Sequence, residues 1–302
     1  MENEKTLLII ADEITNHFGK LKQLNTIGKN QEYLIEYSIY DAIKAGFTNV
    51  VFIIKKDIYN LFKKIIEERI KINIKIEYVL KDPSYIPKKY QEFINKKQGL
   101  LGTGYTIYCA KDKIKGNFAV ININTYYGKD AFLKAAKYFD NIIYNHYGII
   151  GYTLNNTITS NKEVKREICK IEDDQLKSLN LMRVIKRKNK YISANIKTNE
   201  GKEISKDTIV SMNLLLLSSD IFKVLEEELL LFLSLYQKNL SEVKFTILDV
   251  LDMCVKKNLK TIDVILTSST CYELNSKEDI KNITKILTEE ELYPQPLWIN
   301  HN

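Results

Sequence analysis

The chain reads first as an alternation of two kinds of segment. Four short stretches, TLLIIA (residues 6–11), NVVFII (49–54), IKIEYVL (74–80) and NFAVINI (117–123), are rich in Val and Ile and apolar nearly throughout. That is the pattern of strands covered on both faces, as in a largely parallel sheet. Between them the apolar period lengthens to that of a helix. In EYLIEYSIYDAIKAGF (32–47) the residues Ile35, Ile39, Ala42 and Ile43 share one face, and Gly46 follows where a left-handed residue ends a helix. DIYNLFKKIIEERI (57–70) repeats the pattern, with Asp57 as its expected N-cap. Strand, helix, strand, helix predicts right-handed crossovers about a mostly parallel sheet.

The rhythm breaks between Lys81 and Gln98, where Pro83, Pro87 and five lysines predict a surface excursion. It resumes with GTGYTIYCAKDKI as a helix start, NFAVINI as a strand and GKDAFLKAAKYF as a helix. From Tyr147 the pattern turns β-rich: YGIIGYTL, REICKIE, LMRVIKR, YISANIK and TIVSMNLLLL all suit strands, several of them antiparallel. Helical SDIFKVLEEELLLFLSLY and FTILDVLDMCVKK, a strand TIDVILTSS and a last helix near SKEDIKNITKIL complete the chain. No internal repeat is visible and no linker is long enough to separate independent domains. The expectation is one α/β unit over 1–302, an α/β half at 1–146 joined to a β-rich lobe with C-terminal helices at 147–302.

Composition narrows the picture. A chain of 302 residues with 45% hydrophobic content can bury a large core. Its net charge of +7, from 45 Lys plus Arg against 38 Asp plus Glu, is spread along a Lys-, Asn- and Ile-rich chain and reads as a solvated surface. Cys109, Cys169, Cys254 and Cys271 lie far apart without a CxxC pair, as reduced core thiols do. The start, MENEKT, is polar, and LLLLSSDIF and ELLLFLSLY are interrupted well short of a membrane span. A cytoplasmic protein with no membrane partner is expected.

The segments LLIIA, FGKLKQL, IEYSIYDAIKAGFTNVVFII, LGTGYTIYCAKD, FAVININTYYGKDAF and VSMNLLLLSSDIF, in that order, resemble the sugar-phosphate nucleotidyltransferases, or NDP-sugar pyrophosphorylases. The resemblance is strongest over residues 7–54 and 100–133. It implies a Rossmann-like, GT-A-like mixed sheet flanked by helices, with a β-rich sugar-phosphate lobe. It also implies a reaction in which a phosphate oxygen attacks the α-phosphorus of a nucleoside triphosphate, releasing pyrophosphate with magnesium present. Such chemistry rests on positioning two anions and cancelling their charge, the work of a Gly-rich loop, an Arg, a Lys and carboxylate-held Mg²⁺.

On that pattern Ala11, Gly19, Lys22, Gln23, Gly102 and Thr103 are the nucleotide-binding candidates, and Lys22, set in GKLKQL, is the one catalytic candidate. Asn122, Tyr127, Gly128 and Asp130 match the frame of the metal-binding segment. The losses fall at the chemistry. Glu13 and Thr15 stand where the resemblance implies phosphate-wrapping glycines, and His17 where it implies Arg. Glycine lets backbone approach phosphate in conformations a side chain obstructs, and a like charge about 4 Å away at an effective dielectric near 20 repels by roughly 4 kcal/mol. His17 lacks the two-pronged grip of Arg. Asn124 and Thr125 replace the acidic pair whose first member binds magnesium, and a neutral amide weakens such a site. Lys186 stands where relatives tend to carry an acid.

Each feature has a plainer reading beside it. Asp12 and Glu13 could supply a new metal site, but adjacent residues leaving a strand diverge, and a solvated loop is expected. His17 reads as an ordinary loop histidine, and His146 and His301 have no partner spacing. RVIKRKNK (183–190) reads as a basic exposed hairpin rather than a nucleic-acid site. The losses favour a nucleotidyltransferase-like protein, inactive or strongly weakened, that recognises a nucleotide, a sugar phosphate or an intact homologous enzyme, without cofactor. The alternatives are an active transferase with an atypical Mg²⁺ site and a purely structural or assembly partner.

Overall fold

The computed structural model describes residues 4–298 except 18–19, 23, 25, 71–73, 96–100, 159–161, 189, 197–199, 238–239, 241–242, 275–276, 290–291 and 295. Its first half runs β1 (Lys5–Ile10), β2 (Thr15–His17), β3 (Lys20–Lys22), α1 (Leu34–Lys44), β4 (Asn49–Ile54), α2 (Tyr59–Arg69), β5 (Lys75–Leu80), α3 (Lys88–Asn95), α4 (Gly102–Tyr108), β6 (Asn117–Asn122), β7 (Thr125–Tyr126) and α5 (Lys129–Asp140). There follow β8 (His146–Thr153), β9 (Val164–Glu172), β10 (Gln175–Arg187), β11 (Lys190–Asn195), β12 (Gly201–Ile204), β13 (Ile209–Ser218), α6 (Ile221–Tyr236), α7 (Ile247–Lys256), β14 (Thr261–Leu266), β15 (Tyr272–Glu273) and α8 (Lys277–Glu289).

One mixed sheet carries the fold, in the order β12-β11-β10-β14-β8-β13-β6-β1-β4-β5, with β9 paired to both β10 and β13. The apolar strands of the first half are parallel neighbours: β1 lies between β4 and β6, and β4 pairs with β5. Their alternate residues feed two cores. Leu7 and Ile9 of β1 pack with Ile35 and Ile39 of α1, Phe62 and Ile66 of α2 and Phe132 and Phe139 of α5. Leu8 and Ile10 face the other way, toward Tyr105 and Ile107 of α4, Leu225 and Leu229 of α6 and Leu251 of α7. Helices on both faces explain why these strands show no polar alternation.

The β-rich lobe is built differently. The strands β9, β10, β14, β8 and β13 pair in a closed ring, which removes the edges that five strands of an open sheet would expose. The β9–β10 turn is tight, with Asp173 and Asp174 at φ of 53° and 58°, the geometry of a two-residue hairpin that matches strand twist.

Several local expectations are corrected. Asp57 does not cap α2; a 3₁₀ turn over Lys56–Ile58 precedes it, and Ile58 takes the cap position. Residues 81–95 are not a simple surface excursion, because Pro83–Tyr85 form a 3₁₀ turn, α3 follows, and Ile86 and Tyr90 are buried in the core; 96–98 lie outside the described residues. The hairpin expected at 183–190 is present, with Arg187 paired to Lys190, and Lys186 lies over the ring of Tyr191. Gly46 has φ of 96° just past α1, as the sequence predicts.

Candidate functional site

The order β4-β1-β6 makes the carboxyl end of β1 the point where chain connections diverge to either side of the sheet. In open α/β sheets that is where ligands bind. Ala11 is buried there and its N–H donates to the Ile53 carbonyl at 2.9 Å. Asp12 turns inward and Glu13 outward into solvent. The Asp12 carboxylate is not a solvated loop group. Its Oδ2 accepts from Lys81 Nζ at 2.6 Å and from the Thr106 hydroxyl at 2.9 Å. The Lys81 and Asp12 side chains are only 14% and 12% exposed. Lys81 directly follows β5 and Thr106 lies within α4, so a carboxylate from the β1 loop ties three elements together. The donors at this corner already hold an anion.

The next residues continue that closure. Ile14 and Leu21 are buried among the core apolar residues, and between them β2 and β3 pair as an antiparallel hairpin, Thr15 with Lys22, Asn16 with Leu21 and His17 with Lys20. Backbone donors that a phosphate-wrapping loop would present are in part committed across this hairpin. The backbone of the candidates Thr15, His17 and Lys22 belongs to it; Gly19 and Gln23 lie outside the described residues.

Gly102 and Thr103 open α4, and their surroundings give them a local task. A Cβ on Gly102 would meet the Phe245 carbonyl oxygen at 2.6 Å, and its φ is 79°. The Gly104 N–H donates to that same carbonyl at 3.0 Å, the Phe245 N–H donates to the Leu101 carbonyl, and the Thr103 hydroxyl accepts from the Ile247 N–H at 3.1 Å. The start of α4 thus seats the segment leading into α7. Glycine is required at 102 by both the left-handed backbone and the close approach.

On the other side of β1 lies the frame around Asn124. The Asn122 N–H donates to the buried Tyr127 hydroxyl at 3.0 Å. Gly128, at φ of 80°, lets the chain turn past Ser269 into α5. Asp130 accepts from the Thr267 hydroxyl at 2.7 Å and from the N–H and hydroxyl of Ser268; enclosure opposes its ionisation, but these hydrogen bonds outweigh it and hold the carboxyl below its ordinary range. Asn124 and Thr125 are fastened by the C-terminal part of the chain: β15 pairs with β7, and the Leu274 N–H donates to the Asn124 carbonyl at 2.9 Å. The Thr125 hydroxyl is buried and donates to Asn124 Oδ1 at 3.4 Å.

This donor set does not fit magnesium. The ion favours carboxylate oxygens and keeps its waters, whereas Asn124 offers an amide already turned to Thr125. The neighbouring carboxylate of Glu273 is engaged by Arg166 Nη1 at 3.0 Å.

Sequence reasoning did not single out this last group. REICKIE reads as an ordinary strand, yet Arg166 is 4% exposed, with Nε and Nη2 donating to the hydroxyl and carbonyl of Thr157. Its neighbour Glu167 has an Oε2 that is enclosed and, among the described residues, without a hydrogen-bond partner. Burial above all, then the charges of Glu273 and Asp249, pushes Glu167 up to about 8 against the pull of Arg166. His146 also has a partner that spacing did not reveal: its Nδ1 lies 2.9 Å from Asp263 Oδ2, which the Tyr138 hydroxyl also reaches. That group sits at the amino end of β8.

No protein-family model matches the chain, and no curated protein matches it in sequence. Solved structures do match its fold. The inositol-1-phosphate CTP transferase from T. maritima superposes with a TM-score of 0.57 at 10% identity, over 95% of this chain and 97% of that one. The UDP-glucose pyrophosphorylase from Acinetobacter baumannii gives 0.59 at 12% identity, over 96% and 95%. A UDP-glucose pyrophosphorylase complexed with UDP-glucose gives 0.56 at 14% identity, over 95% and 99%. The fold is that of the sugar-phosphate nucleotidyltransferases. The nucleotidyltransferase fold extends over nearly the whole chain, β-rich lobe included. Within it, Ala11, Asp12, Lys81 and Thr106 meet at one corner and Asn124, Thr125 and Glu273 at another. Gly102 and Thr103 serve the α4–α7 junction. Among the described residues, no helix is long and apolar enough to cross a membrane.

Proposed function

We propose that this nucleotidyltransferase-like protein recognises a ligand without transferring a nucleotide to it, or does so very weakly, and serves binding or regulation in nucleotide-sugar metabolism. The observation that carries this reading is the ion pair of Asp12 with Lys81. A nucleoside triphosphate entering at the end of β1 meets a carboxylate that has already taken the nearby cation and hydroxyl, with Glu13 adding a second negative charge. Charge cancellation is the main work of phosphoryl and nucleotidyl transfer, so a loop carrying the acids Asp12 and Glu13, with Glu13 and Thr15 where the resemblance implies glycines, opposes it. The β2–β3 hairpin and the amide at Asn124 support the same reading. Four free, buried cysteines agree with a reducing, cytoplasmic setting.

The ligand is a nucleotide or a sugar phosphate, and an intact homologous enzyme is the candidate protein partner. The test is a pyrophosphate-release assay of the full chain with CTP, UTP, GTP, ATP and dTTP against glucose 1-phosphate and inositol 1-phosphate, with Mg²⁺, in wild type and Lys22→Ala. No release above the no-protein rate is expected. Release that disappears in Lys22→Ala refutes the proposal.

A further inference from the structure

The helix α1 is buried along two stripes. Ile35, Ile39 and Ala42 meet the sheet core, while Leu34, Tyr37 and Asp41 are buried at helical spacing on a second stripe. What covers that second stripe comes from the far end of the chain. A third apolar cluster, smaller than the two on the sheet, joins Leu34, Tyr37 and Tyr126 to Ile283 and Leu287 of α8 and to Tyr293 beyond it. Trp298 packs where this cluster borders the sheet core.

The contact is polar as well as apolar. Glu32, Glu36 and Asp41 are each at most 2% exposed, and each accepts a hydrogen bond from the C-terminal segment. Glu32 Oε1 takes the Leu297 N–H at 3.4 Å, Glu36 Oε2 takes Trp298 Nε1 at 2.7 Å, and Asp41 Oδ2 takes the Tyr293 hydroxyl at 2.6 Å. Glu36 is held from its own side by Arg69 and the Tyr33 N–H, and Glu32 by Asn30. The Tyr37 ring meets that of Tyr293 edge-on at 4.8 Å, and its hydroxyl is enclosed and, among the described residues, without a partner. Water can replace each of the three bonds and supply the one that Tyr37 lacks, so this contact gives up less on opening than an apolar core of equal size. Contacts of that kind open locally, well below the free energy of global unfolding.

The same segment fastens both flanks of the candidate site. At its near end β15 pairs with β7 over two residues, and the Leu274 N–H holds the Asn124 carbonyl. At its far end Leu297 holds Glu32, whose own carbonyl accepts from the Ile27 and Gly28 N–H groups in the loop leading into α1. Lys162 reaches Glu278 of α8 at 2.6 Å, but both side chains are well exposed and such a pair adds little. Just before the segment begins, Thr267 and Ser268 are tied to Asp130, which fixes where it leaves the sheet.

We propose that the described residues of 272–298 form a strap latched at Tyr293, which opens as one unit while the sheet stays folded and so releases the Asn124 segment and the 26–32 loop together.

The test is native-state hydrogen exchange of the full chain at low urea concentrations, read peptide by peptide by mass spectrometry. In the wild type the amides of β15 and α8 are expected to share one opening constant at least about tenfold larger than that of β1, β4 and β6, and only weakly dependent on urea, because a short segment exposes little surface. Tyr293→Phe removes the latch and should raise that constant by about tenfold, with peptides over 26–32 and 124–126 quickening alongside α8. Trp298→Phe, which deletes the indole N–H donated to Glu36, should act in the same direction. A urea dependence for α8 as steep as that for β1 would overturn the proposal, since the segment would then open only with the whole chain. Exchange in α8 that ignores both substitutions would overturn it too, as the fraying of one helix, and so would loop and Asn124 peptides that fail to follow α8. The wild-type urea series decides the first of these outcomes even if neither variant folds.

Discussion

Asp12→Ala leaves Lys81 Nζ without its counter-ion, and the size of the effect can be worked from the geometry. At 2.6 Å and an effective dielectric near 20 the gross attraction is about 6 kcal/mol, most of which offsets the desolvation of two charges. Breaking a fully buried pair from one side costs about 3–5 kcal/mol and an exposed one less than about 1. With both side chains largely but not wholly covered, about 2–3 kcal/mol is expected for Asp12→Ala. For 302 residues the unfolding entropy is about 0.6 kcal/mol/K, so Tm should fall by about 3–5 °C. Lys81→Met should destabilise as well, because it leaves the Asp12 carboxylate with the Thr106 hydroxyl but without its counter-ion. A double-mutant cycle by urea unfolding should then return a coupling of about 2 kcal/mol, little changed by 1 M NaCl because the pair is shielded from salt. A coupling below about 0.5 kcal/mol would refute the reasoning, for it would mean that the β1 loop is solvated and its acids are free to hold a cation for a triphosphate.

Three further outcomes are expected. Glu167 ionises near 8 in the fold against an ordinary 4.5, so its contribution to stability is present in full below pH 4.5 and is lost as pH rises toward 8; Glu167→Gln should gain stability relative to wild type between pH 5 and 8.5, with a ceiling of about 5 kcal/mol, and parallel pH profiles in urea unfolding would contradict this. Tyr293 donates to Asp41 at 2.6 Å and lies 2.8 Å from the Tyr126 hydroxyl, and burial foremost lifts Asp41 to about 7 against the Tyr293 bond and Lys129; Tyr293→Phe should cost about 1–3 kcal/mol in thermal unfolding, whereas Asp41→Asn, which keeps an acceptor, should flatten the loss of stability from pH 4 to 7. Gly102→Ala combines a left-handed backbone with a Cβ 2.6 Å from a carbonyl oxygen and should lower stability by at least about 2 kcal/mol, a value read from the shift in urea midpoint.

The sequence by itself determined the layers. Strands such as NVVFII, apolar at every position after Asn49, must be covered twice, and helices with one apolar stripe must do the covering, so a three-layer α/β sheet follows from periodicity alone. The sequence of the β1 loop also shows, as a local fact, Glu13, Thr15 and His17 at the positions where the resemblance implies glycines and Arg. What only the tertiary structure decided is which distant residue answers each side chain. Asp12 meets Lys81 across 69 residues and Thr106 across 94, Arg166 meets Glu273 across 107, and Tyr293 returns 252 residues to Asp41. Local pattern encodes which face of an element is buried, since that depends on a period of two or 3.6. It carries no record of which chain segment comes back to that face, and so the inward turn of Asp12 and the unanswered carboxyl of Glu167 were set by the return of the chain.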